Sequence, residues 1–359
     1  MLLLTMTEEE FKRELAFYDY DYPEELIATS PASPRDSARL MVVSKEGKVK
    51  DIATFADIVK FLPKNSLLVF NDTKVVPARL TLKKGSGGRV RVICISINGG
   101  IIRVMADRKV SIGEKLISES GYYFIAMGRE ERYLLVKPFS PSGEELLLDE
   151  KLLDELLFKI GETPLPPYIK NSPLSEEDRR EEYQSVFAKE SGSIAAPTAS
   201  LHFTDELLAR IKAAGHEIVF VTLHVGLGTF APLTKKNILS GRLHTEKYEI
   251  SEEAAKKIMD AKKEKRRIIA VGTTSVRTLE SSFVDGKVTS GKQETHLFIR
   301  LGYEFKIVDG IITNFHIPRS SLLMLVSAFI GKEETISLYS RAIKDNFRLF
   351  SFGDGMIIT

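Results

Sequence analysis

The pattern of hydrophobic and polar positions changes its period several times along the chain, and each change predicts an element of secondary structure. Four consecutive apolar residues at 218–221 predict a strand that is buried on both faces. The segment before it predicts a helix that begins after Thr204, a favoured N-cap, and ends at Gly215. Within that helix, apolar residues recur at the spacing of one buried face. We therefore expect a helix that leads into a buried strand.

The same plan occurs again further along the chain. A helix is predicted to begin after Ser251 and to lead into a strand at 267–271, and another strand is predicted to end at 313–316. Such alternation favours a parallel sheet, in which the carboxyl ends of the strands meet at one edge and bind ligands. Polar residues after these strands are therefore candidates for one site, and His202 stands just before the first helix. The candidates after the strands are His224, Thr229, Thr273, Thr274, Ser275, Arg277, Asn314 and His316.

The segment from about Pro77 to Phe139 has a different pattern. Short alternating runs are separated by glycine-containing turns such as 85–88 and 98–100. This predicts about six strands in a small all-β domain, and because an α/β pattern stands on both sides we interpret it as an insertion. The predicted fold class is α/β, with a larger α/β catalytic domain and a smaller all-β barrel-like domain inserted into it. The predicted limits are 1–76 and 150–359 for the discontinuous α/β domain and 77–149 for the insert.

The composition is that of an ordinary soluble globular protein. The chain has 359 residues, of which 43% are hydrophobic and 28% are charged, and this length suits two domains. The single cysteine, Cys94, excludes a disulfide framework and a cysteine-based metal site. The apolar N-terminal run is too short for a signal peptide, and no run reaches the length of a membrane span. We therefore expect a cytoplasmic protein that does not enter a membrane.

The positive charge is concentrated in the predicted insert. The whole chain has a formal net charge of +2, but residues 79–137 carry twelve Lys and Arg against five Asp and Glu. This asymmetry indicates a polyanionic partner, and the alternative is a solvated basic surface. Strand alternation predicts that Arg89 and Arg91 share one solvated face. The candidates for phosphate contacts are Lys83, Lys84, Arg89, Arg91, Arg108 and Lys109.

Two motifs at the predicted sheet edge suggest chemistry. The turn 272–275 offers backbone N–H groups and hydroxyls to a carboxylate or a phosphate, although plain helix capping is the alternative. His202, His224 and His316 are candidates for acid–base catalysis, with a structural role as the alternative for each. We expect His202 and His224 to share a pocket, because the helix and strand between them return the chain to one edge. The histidine spacings do not match a zinc motif, so no metal site is predicted.

Seven segments carry a more specific signal. They are FNDTKVVPARL (70–80), PLPPYI (164–169), GSIAAPTASLHFT (192–204), VTLHVGLGTFAPL (221–233), AVGTTSVRTLES (270–281), TNFHIPRSSLLMLVSAF (313–329) and FSFGDGMIIT (350–359). In this order they resemble the S-adenosylmethionine:tRNA ribosyltransferase-isomerases of queuosine biosynthesis. The resemblance runs from about Phe17 to the C-terminus.

The resemblance implies a reaction. The ribosyl part of S-adenosylmethionine is moved to the aminomethyl nitrogen of 7-aminomethyl-7-deazaguanine at the tRNA wobble position. It isomerises to an epoxycyclopentanediol, which gives epoxyqueuosine-tRNA, while adenine and methionine leave. S-adenosylmethionine is thus a ribosyl-donating substrate, and no metal or redox cofactor is implied. The resemblance also implies a monomer.

This reaction suggests roles for the candidate residues. A base must remove a proton beside the sulfonium, and an acid should protonate the departing adenine, so His202, His224 and His316 are the catalytic candidates. Thr229, Thr273, Thr274, Ser275, Arg277 and Asn314 are predicted to bind the donor, and the six cations of the insert are predicted to bind tRNA. Two alternatives are a tRNA-binding module without chemistry and a methyltransferase that uses the same donor.

Overall fold

The structure is a computed structural model that describes residues 6–226, 228 and 231–359. The α-helices are α1 (Glu8–Ala16), α2 (Glu150–Ile160), α3 (Glu176–Glu182), α4 (Asp205–Ala213), α5 (Lys235–Ser240), α6 (Glu252–Lys263), α7 (Thr273–Ser282), α8 (Ser321–Ile330) and α9 (Lys332–Lys344). Short 3-10 helices lie at Glu24–Leu26, Arg35–Ser37, Phe55–Lys60 and Thr198–His202.

The strands form two large assemblies and two short ribbons. They are β1 (Arg39–Val43), β2 (Val49–Thr54), β3 (Leu67–Asn71), β4 (Thr73–Val75), β5 (Arg79–Lys84), β6 (Arg89–Asn98), β7 (Ile101–Ala106), β8 (Lys115–Ile117), β9 (Tyr123–Glu130), β10 (Tyr133–Phe139), β11 (Glu190–Ser193), β12 (Glu217–Leu223), β13 (Arg242–Ile250), β14 (Ile268–Val271), β15 (Phe283–Val284), β16 (Lys287–Val288), β17 (Gly291–Leu297), β18 (Gly310–Asn314) and β19 (Gly355–Ile358).

The larger assembly is a mixed sheet of nine described strands in the order β17-β13-β12-β3-β14-β18-β19-β1-β2. At its centre β12, β3, β14 and β18 are parallel to one another. Strand β19 is antiparallel to β18 and parallel to β1. The predicted α/β fold is confirmed, and the carboxyl ends of the four central strands lie at one edge of the sheet.

The helix and strand predicted around 204–221 form as expected, and capping explains where the helix begins. The Thr204 hydroxyl accepts a hydrogen bond from the backbone N–H of Leu207 at 3.1 Å, which satisfies one of the free donors of the first turn of α4. Leu207, Leu208 and Ile211 are buried against the sheet. Gly215 has a φ of +86°, the left-handed conformation that glycine adopts without strain. The chain then turns directly into β12.

The second assembly is a closed barrel of six strands in the order β10-β7-β6-β5-β8-β9. Side chains alternate along each strand, so that on β6 Val90 and Val92 are buried inside while Arg89 and Arg91 are exposed outside. Cys94 lies in the same core, where burial raises the pKa of its thiol to about 12. Closure leaves the barrel without free edges. The predicted all-β insert of about six strands is therefore confirmed as a barrel.

The barrel is joined to the large sheet through a close chain crossing. Arg79 and Glu162 exchange two backbone hydrogen bonds, of 3.1 and 2.7 Å. Leu153 and Leu157 of α2 belong to the hydrophobic core of the barrel. The helix that follows the predicted limit at residue 149 thus packs on the barrel. The predicted limits themselves stay a prediction.

Strands β13 and β17 are among the strands that were not predicted from the sequence. Strand β13 pairs with β12 and extends the sheet towards β17. Its residues alternate between polar side chains outside and Glu246, Tyr248 and Ile250 inside.

No helix of the described residues combines the length and the apolar character needed to cross a bilayer.

We predict that Gly161→Ala destabilises the protein. Gly161 ends α2, and an added Cβ would lie 1.8 Å from the backbone oxygen of Pro77. The two chain segments would have to separate, at a cost of about 1–3 kcal/mol or more in the free energy of unfolding. Urea denaturation measures this cost. Gly128→Ala is the control, because its added Cβ meets only the Leu135 side chain, at 4.0 Å. Equal stabilities of the two variants would contradict the prediction.

Candidate active site

A cleft lies at the carboxyl ends of the central strands, as the sheet topology predicts. The space between its walls, including the part that is open to solvent, is about 620 Å³. We call it the strand-end cleft. Its walls are formed by Tyr168, Ala196, Pro197, Thr198, Ala199, Val225, Gly272, Thr273, Thr274, Thr313, Asn314, Phe315, His316, Ile317, Leu322, Phe350 and Ser351.

The buried carboxamide of Asn71 holds one end of this cleft together. Its Nδ2 donates to the backbone oxygen of Leu223 at 3.0 Å and to Thr274 Oγ1 at 3.2 Å. Its Oδ1 accepts the backbone N–H groups of Leu223 and Thr73, at 3.0 and 3.1 Å. Two donated and two accepted bonds fully satisfy the group. Asn71 therefore fixes the end of β12 and the start of α7 relative to β3.

The amino end of α7 opens into the cleft. Gly272 precedes the helix with a φ of +88°, which bends the chain sharply from β14 into α7. No side chain caps this end of the helix, and Thr273 and Thr274 line the cleft. The uncapped N–H groups and the positive end of the helix dipole favour an anion here. Thr273 and Thr274 are thus placed where the sequence analysis expects donor-binding residues.

His202 lies behind the cleft rather than on its wall. Its ring stacks on Phe55 at 3.9 Å between centroids and is buried. Its Nε2 lies 3.1 Å from Asn314 Nδ2, which makes the ring nitrogen the acceptor. Burial, with the charges of Arg348 and Arg35, lowers the pKa of His202 to about 3. His202 is therefore neutral, and it orients Asn314, which does line the cleft.

Asn314 is held from three sides. Its Oδ1 accepts from the Thr198 hydroxyl at 3.0 Å, and its Nδ2 also donates to the backbone oxygen of Phe350 at 3.2 Å. Phe350 itself has a φ of +70°, a left-handed conformation that is rare for a bulky residue and costs about 1–3 kcal/mol. Its ring packs 5.0 Å from that of Tyr168. Strain of this kind concentrates at functional sites, and sequence patterns do not reveal it.

His316 is the predicted histidine that lines the cleft. Its Nε2 lies 2.9 Å from Thr313 Oγ1, its backbone N–H donates to the Tyr339 hydroxyl at 3.0 Å, and its backbone oxygen accepts from the Tyr20 hydroxyl. Burial lowers the pKa of His316 to about 3. The imidazole is therefore neutral near pH 7 and is rigidly oriented.

His224 has other surroundings. Its Nδ1 lies 2.9 Å from Thr73 Oγ1, and Gly192 packs against the ring. Burial lowers its pKa, and the carboxylates of Glu190 and Asp154 oppose this shift. Neither His224 nor His202 is among the described residues that line the strand-end cleft. The structure thus does not bring the two rings into the shared pocket that we expected from their spacing.

Two further predicted donor-binding residues differ from expectation, and a third is not described. Ser275 is fully buried, and its hydroxyl donates to the backbone oxygen of Val271 at 2.8 Å, so it faces the helix and not the cleft. Arg277 turns towards β13, where it pairs with Glu246 instead of joining Thr273 and Thr274. Thr229 lies outside the described residues.

Arg277 lines a second, smaller pocket, which we call the Arg277 pocket; the space between its walls, including the part that is open to solvent, is about 360 Å³. Leu322 lines both this pocket and the strand-end cleft. The other walls of the Arg277 pocket are Gly228, Leu243, His244, Glu246, Ile299, Ser321 and Leu325. The sequence analysis missed His244 and Glu246, although their two-residue spacing is that of one face of a strand.

The Arg277 guanidinium is only partly satisfied. Its Nη1 donates to Glu246 Oε2, and its Nε donates to the backbone oxygen of Leu297 at 3.2 Å. The Glu246 carboxylate also accepts the backbone N–H of Gly226 at 3.0 Å. Nη2 of Arg277 is buried without a hydrogen-bond partner among the described residues. A buried donor without an acceptor costs about 1–3 kcal/mol, and more when it is charged.

The basic face of the barrel is partly free and partly engaged. Lys83 and Arg89 are exposed and lie directly opposite each other on β5 and β6. Arg91 is exposed on the same face and pairs with Asp107 at 3.1 Å. The Lys84 side chain is mostly buried and donates to the backbone oxygen of Lys109. The remaining candidates, Arg108 and Lys109, are exposed.

The part of the chain that the structure describes contains no group of three or more His, Cys, Asp or Glu side chains arranged to hold a metal ion. The strand-end cleft thus offers hydroxyls, an amide, an imidazole and backbone N–H groups as its polar contacts. The polar groups suit a carboxylate, and the apolar walls of the cleft suit a flat apolar part of the same organic ligand.

Comparison with known proteins agrees with the sequence motifs. The model of the family described as "Queuosine biosynthesis protein" matches residues 15–358. An S-adenosylmethionine:tRNA ribosyltransferase-isomerase of Thermosipho africanus is 44% identical over 348 residues, which cover 96% of this chain and 99% of the relative. A protein of the same name from Fusobacterium nucleatum is 44% identical over 357 residues, which cover 97% of this chain and 98% of the relative.

A solved structure is also similar. The crystal structure of S-adenosylmethionine tRNA ribosyltransferase from Thermotoga maritima has a TM-score of 0.53 and 32% sequence identity, and the match covers 96% of this chain and 100% of that chain. The resemblance that the sequence motifs indicate is confirmed. The chain therefore belongs to the S-adenosylmethionine:tRNA ribosyltransferase-isomerase family of queuosine biosynthesis enzymes.

Proposed function

We propose that this chain transfers the ribosyl group of S-adenosylmethionine to 7-aminomethyl-7-deazaguanine at the wobble position of tRNA. The group isomerises to the epoxycyclopentanediol of epoxyqueuosine, and adenine and methionine leave. The observation that carries the proposal is the uncapped amino end of α7, which opens into an apolar cleft at the strand ends. The family membership supplies the reaction.

S-adenosylmethionine matches this cleft group by group. Its methionine carboxylate suits the positive end of α7 beside Thr273 and Thr274. Its adenosine part suits the aromatic walls formed by Tyr168, Phe315 and Phe350. Oδ1 of Asn314 accepts from Thr198 and can accept a second hydrogen bond, from a ribose hydroxyl. We propose these contacts for the donor and leave out Ser275, whose hydroxyl is used within α7, and Arg277, which does not line the cleft.

The reaction needs proton transfers, and the position of each histidine relative to the cleft decides which of them suits these steps. His316 lines the cleft. We propose that its neutral ring contacts the donor and accepts the proton that is removed from beside the sulfonium. His224 adjoins Val225 of the cleft wall, and we propose it as the acid for departing adenine, because the nearby carboxylates of Glu190 and Asp154 oppose the lowering of its pKa by burial. His202 acts only through Asn314 and is therefore proposed as a positioning residue.

The barrel is proposed to bind the tRNA by charge. Lys83, Arg89 and Arg91 share an exposed face, and Arg108 and Lys109 are also exposed. Phosphate contacts of this kind position an RNA without reading its sequence. Lys84 contributes less, because its ammonium group is engaged by the barrel itself.

We also propose that the chain works as a cytoplasmic monomer without a metal. The sulfonium itself acidifies the proton to be removed, so this step does not require a metal. Adenine release that persists in EDTA, from a species with the mass of one chain, supports this proposal. Loss of adenine release in EDTA, with recovery on adding a divalent metal, would contradict it.

Adenine release tests the reaction. The protein is incubated with S-adenosylmethionine and tRNA carrying the modified base, and free adenine and methionine are measured together. The proposed reaction releases both in equal amounts. A methyltransferase would release S-adenosylhomocysteine instead, and a binding module would release nothing.

Thr273→Asp should weaken donor binding while preserving the helix. A carboxylate at the amino end of α7 favours the helix dipole, but it repels the methionine carboxylate. We expect the dissociation constant for S-adenosylmethionine to rise by about tenfold or more, which corresponds to about 1.4 kcal/mol. Calorimetry gives the constant. Thr273→Asn, which has the same shape without the charge, is the control. Equal affinities of the two variants, or tighter binding by Thr273→Asp, would rule out this orientation of the donor.

His316→Gln should lower turnover strongly. Glutamine keeps a polar group near Thr313 but cannot take part in proton transfer, so we expect kcat to fall by about a hundredfold or more. His216→Gln is the matched control. His216 precedes β12 at the opposite edge of the sheet, and glutamine can still accept from the backbone N–H of Ser66. Similar kcat values for both variants, measured by adenine release, would indicate that His316 has only a structural role.

Reversing the charges of Lys83 and Arg89 should weaken the binding of all tRNAs alike. Removing one phosphate interaction reduces the slope of log affinity against log salt by about 0.7–0.9. The double variant Lys83→Glu/Arg89→Glu is compared with Lys48→Glu/Lys50→Glu, which makes the same change in net charge on the exposed β1–β2 hairpin. Filter binding over a series of salt concentrations measures both. Identical slopes for the two variants would mean that the barrel face is only a solvated surface.

A further inference from the structure

The Arg277 pocket contains a buried donor that the described residues leave without an acceptor. Arg277 is only 5% exposed, and its Nη2 has no hydrogen-bond partner there. The rest of the guanidinium is held by Glu246 and by the backbone of Leu297. Buried polar groups in native proteins almost always have partners, so an orphan donor on a side chain that lines a pocket indicates a ligand that supplies the acceptor.

The charge and shape of the pocket limit the class of this ligand. Glu246 neutralises Arg277, so the pair attracts a neutral oxygen or nitrogen acceptor rather than a second carboxylate. The side chains of Leu243, Ile299 and Leu325 make the remaining walls apolar. A nucleobase has this combination of flat apolar faces and acceptors at its edge.

The rim of the pocket indicates where the nucleobase comes from. His244 stands at the pocket, and Arg132 of the barrel and Lys236 of α5 are exposed close to it. Burial is the main cause that lowers the pKa of His244, and the charges of these two residues add to it. Exposed cations beside the pocket suit the phosphates that flank a base in a polynucleotide. An RNA base is therefore favoured over the adenine of the donor.

We infer that the Arg277 pocket receives the unstacked 7-deazaguanine base of the tRNA, with Arg277 Nη2 donating to the carbonyl oxygen of the base. This inference rests on the proposed function. Leu322 lines both pockets, so the base in one and the donor in the strand-end cleft face each other across a shared wall. An anticodon loop presents its bases unpaired, which keeps the cost of unstacking low.

Filling each pocket separately tests the inference. Leu243→Phe fills the Arg277 pocket and leaves both residues of the buried ion pair unchanged in sequence. Ile317→Phe is the matched change in the strand-end cleft. Three probes are used: S-adenosylmethionine, an anticodon stem-loop with 7-aminomethyl-7-deazaguanine at the wobble position, and the same stem-loop with an abasic wobble position. Dissociation constants come from calorimetry for S-adenosylmethionine and from fluorescence anisotropy for the stem-loops.

We expect the unmodified protein to bind the modified stem-loop at least about tenfold more tightly than the abasic one. Leu243→Phe should remove most of this preference and leave the affinity for S-adenosylmethionine within about twofold. Ile317→Phe should do the reverse. Thermal melting checks that each variant is folded, and Ser321→Met, which fills the same pocket from α8, replaces Leu243→Phe if that variant unfolds.

Two outcomes would overturn the inference. Weaker binding of S-adenosylmethionine by Leu243→Phe with an unchanged stem-loop preference would assign the pocket to the adenine of the donor. An unchanged preference and an unchanged donor affinity, or no preference in the unmodified protein, would mean that the pocket holds neither base. Failure of the proposed function is a separate result, because it appears as absence of adenine release by the unmodified protein.

Discussion

The buried carboxamide of Asn71 is the interaction on which the geometry of the cleft depends. Parallel strands align their ends, but alignment alone does not fix the loops that follow them. Asn71 makes four hydrogen bonds at a fully buried position: two to the end of β12, one to the start of α7 and one to the backbone of Thr73. A smaller or apolar side chain would leave the ends of two elements without partners. The amide of Asn71 thus holds the end of β12 and the start of α7 in the positions that form the cleft.

Position relative to the strand-end cleft separates residues that look equivalent in the sequence. His202 and His316 both have a pKa lowered to about 3, yet His316 lines the cleft and His202 supports Asn314 from behind. The same holds for the first two turns of α7. Its amino end faces the strand-end cleft, while Arg277, one turn later, is committed to Glu246. The amino end of α7 in the strand-end cleft thus suits a negatively charged group, whereas the paired charges of Arg277 and Glu246 leave the Arg277 pocket neutral.

The sequence patterns predicted the elements that are governed by local rules. The cap at Thr204, the buried run in β12 and the glycine-punctuated barrel strands all depend on near neighbours, and all appear where expected. Strand β13 was missed because its outward half is charged and its apolar residues are few. Without β13 the partner of Arg277 could not be foreseen, since helical spacing does not say which neighbouring strand a side chain will face. The motifs indicated where the strand-end cleft lies, but long-range packing determines which of their residues line it.

The position of β19 in the sheet has a consequence for how the protein is made. Residues 355–358 lie between β18 and β1 and pair with both. During synthesis β1 and β2 are translated early, but they have no place in the sheet until those last strand residues leave the ribosome. Until then β18, which ends in Asn314 at the cleft, presents an unpaired edge. The catalytic half of the sheet is thus completed only after nearly all of the described chain has been synthesised, whereas the barrel, whose six strands are consecutive, can close long before.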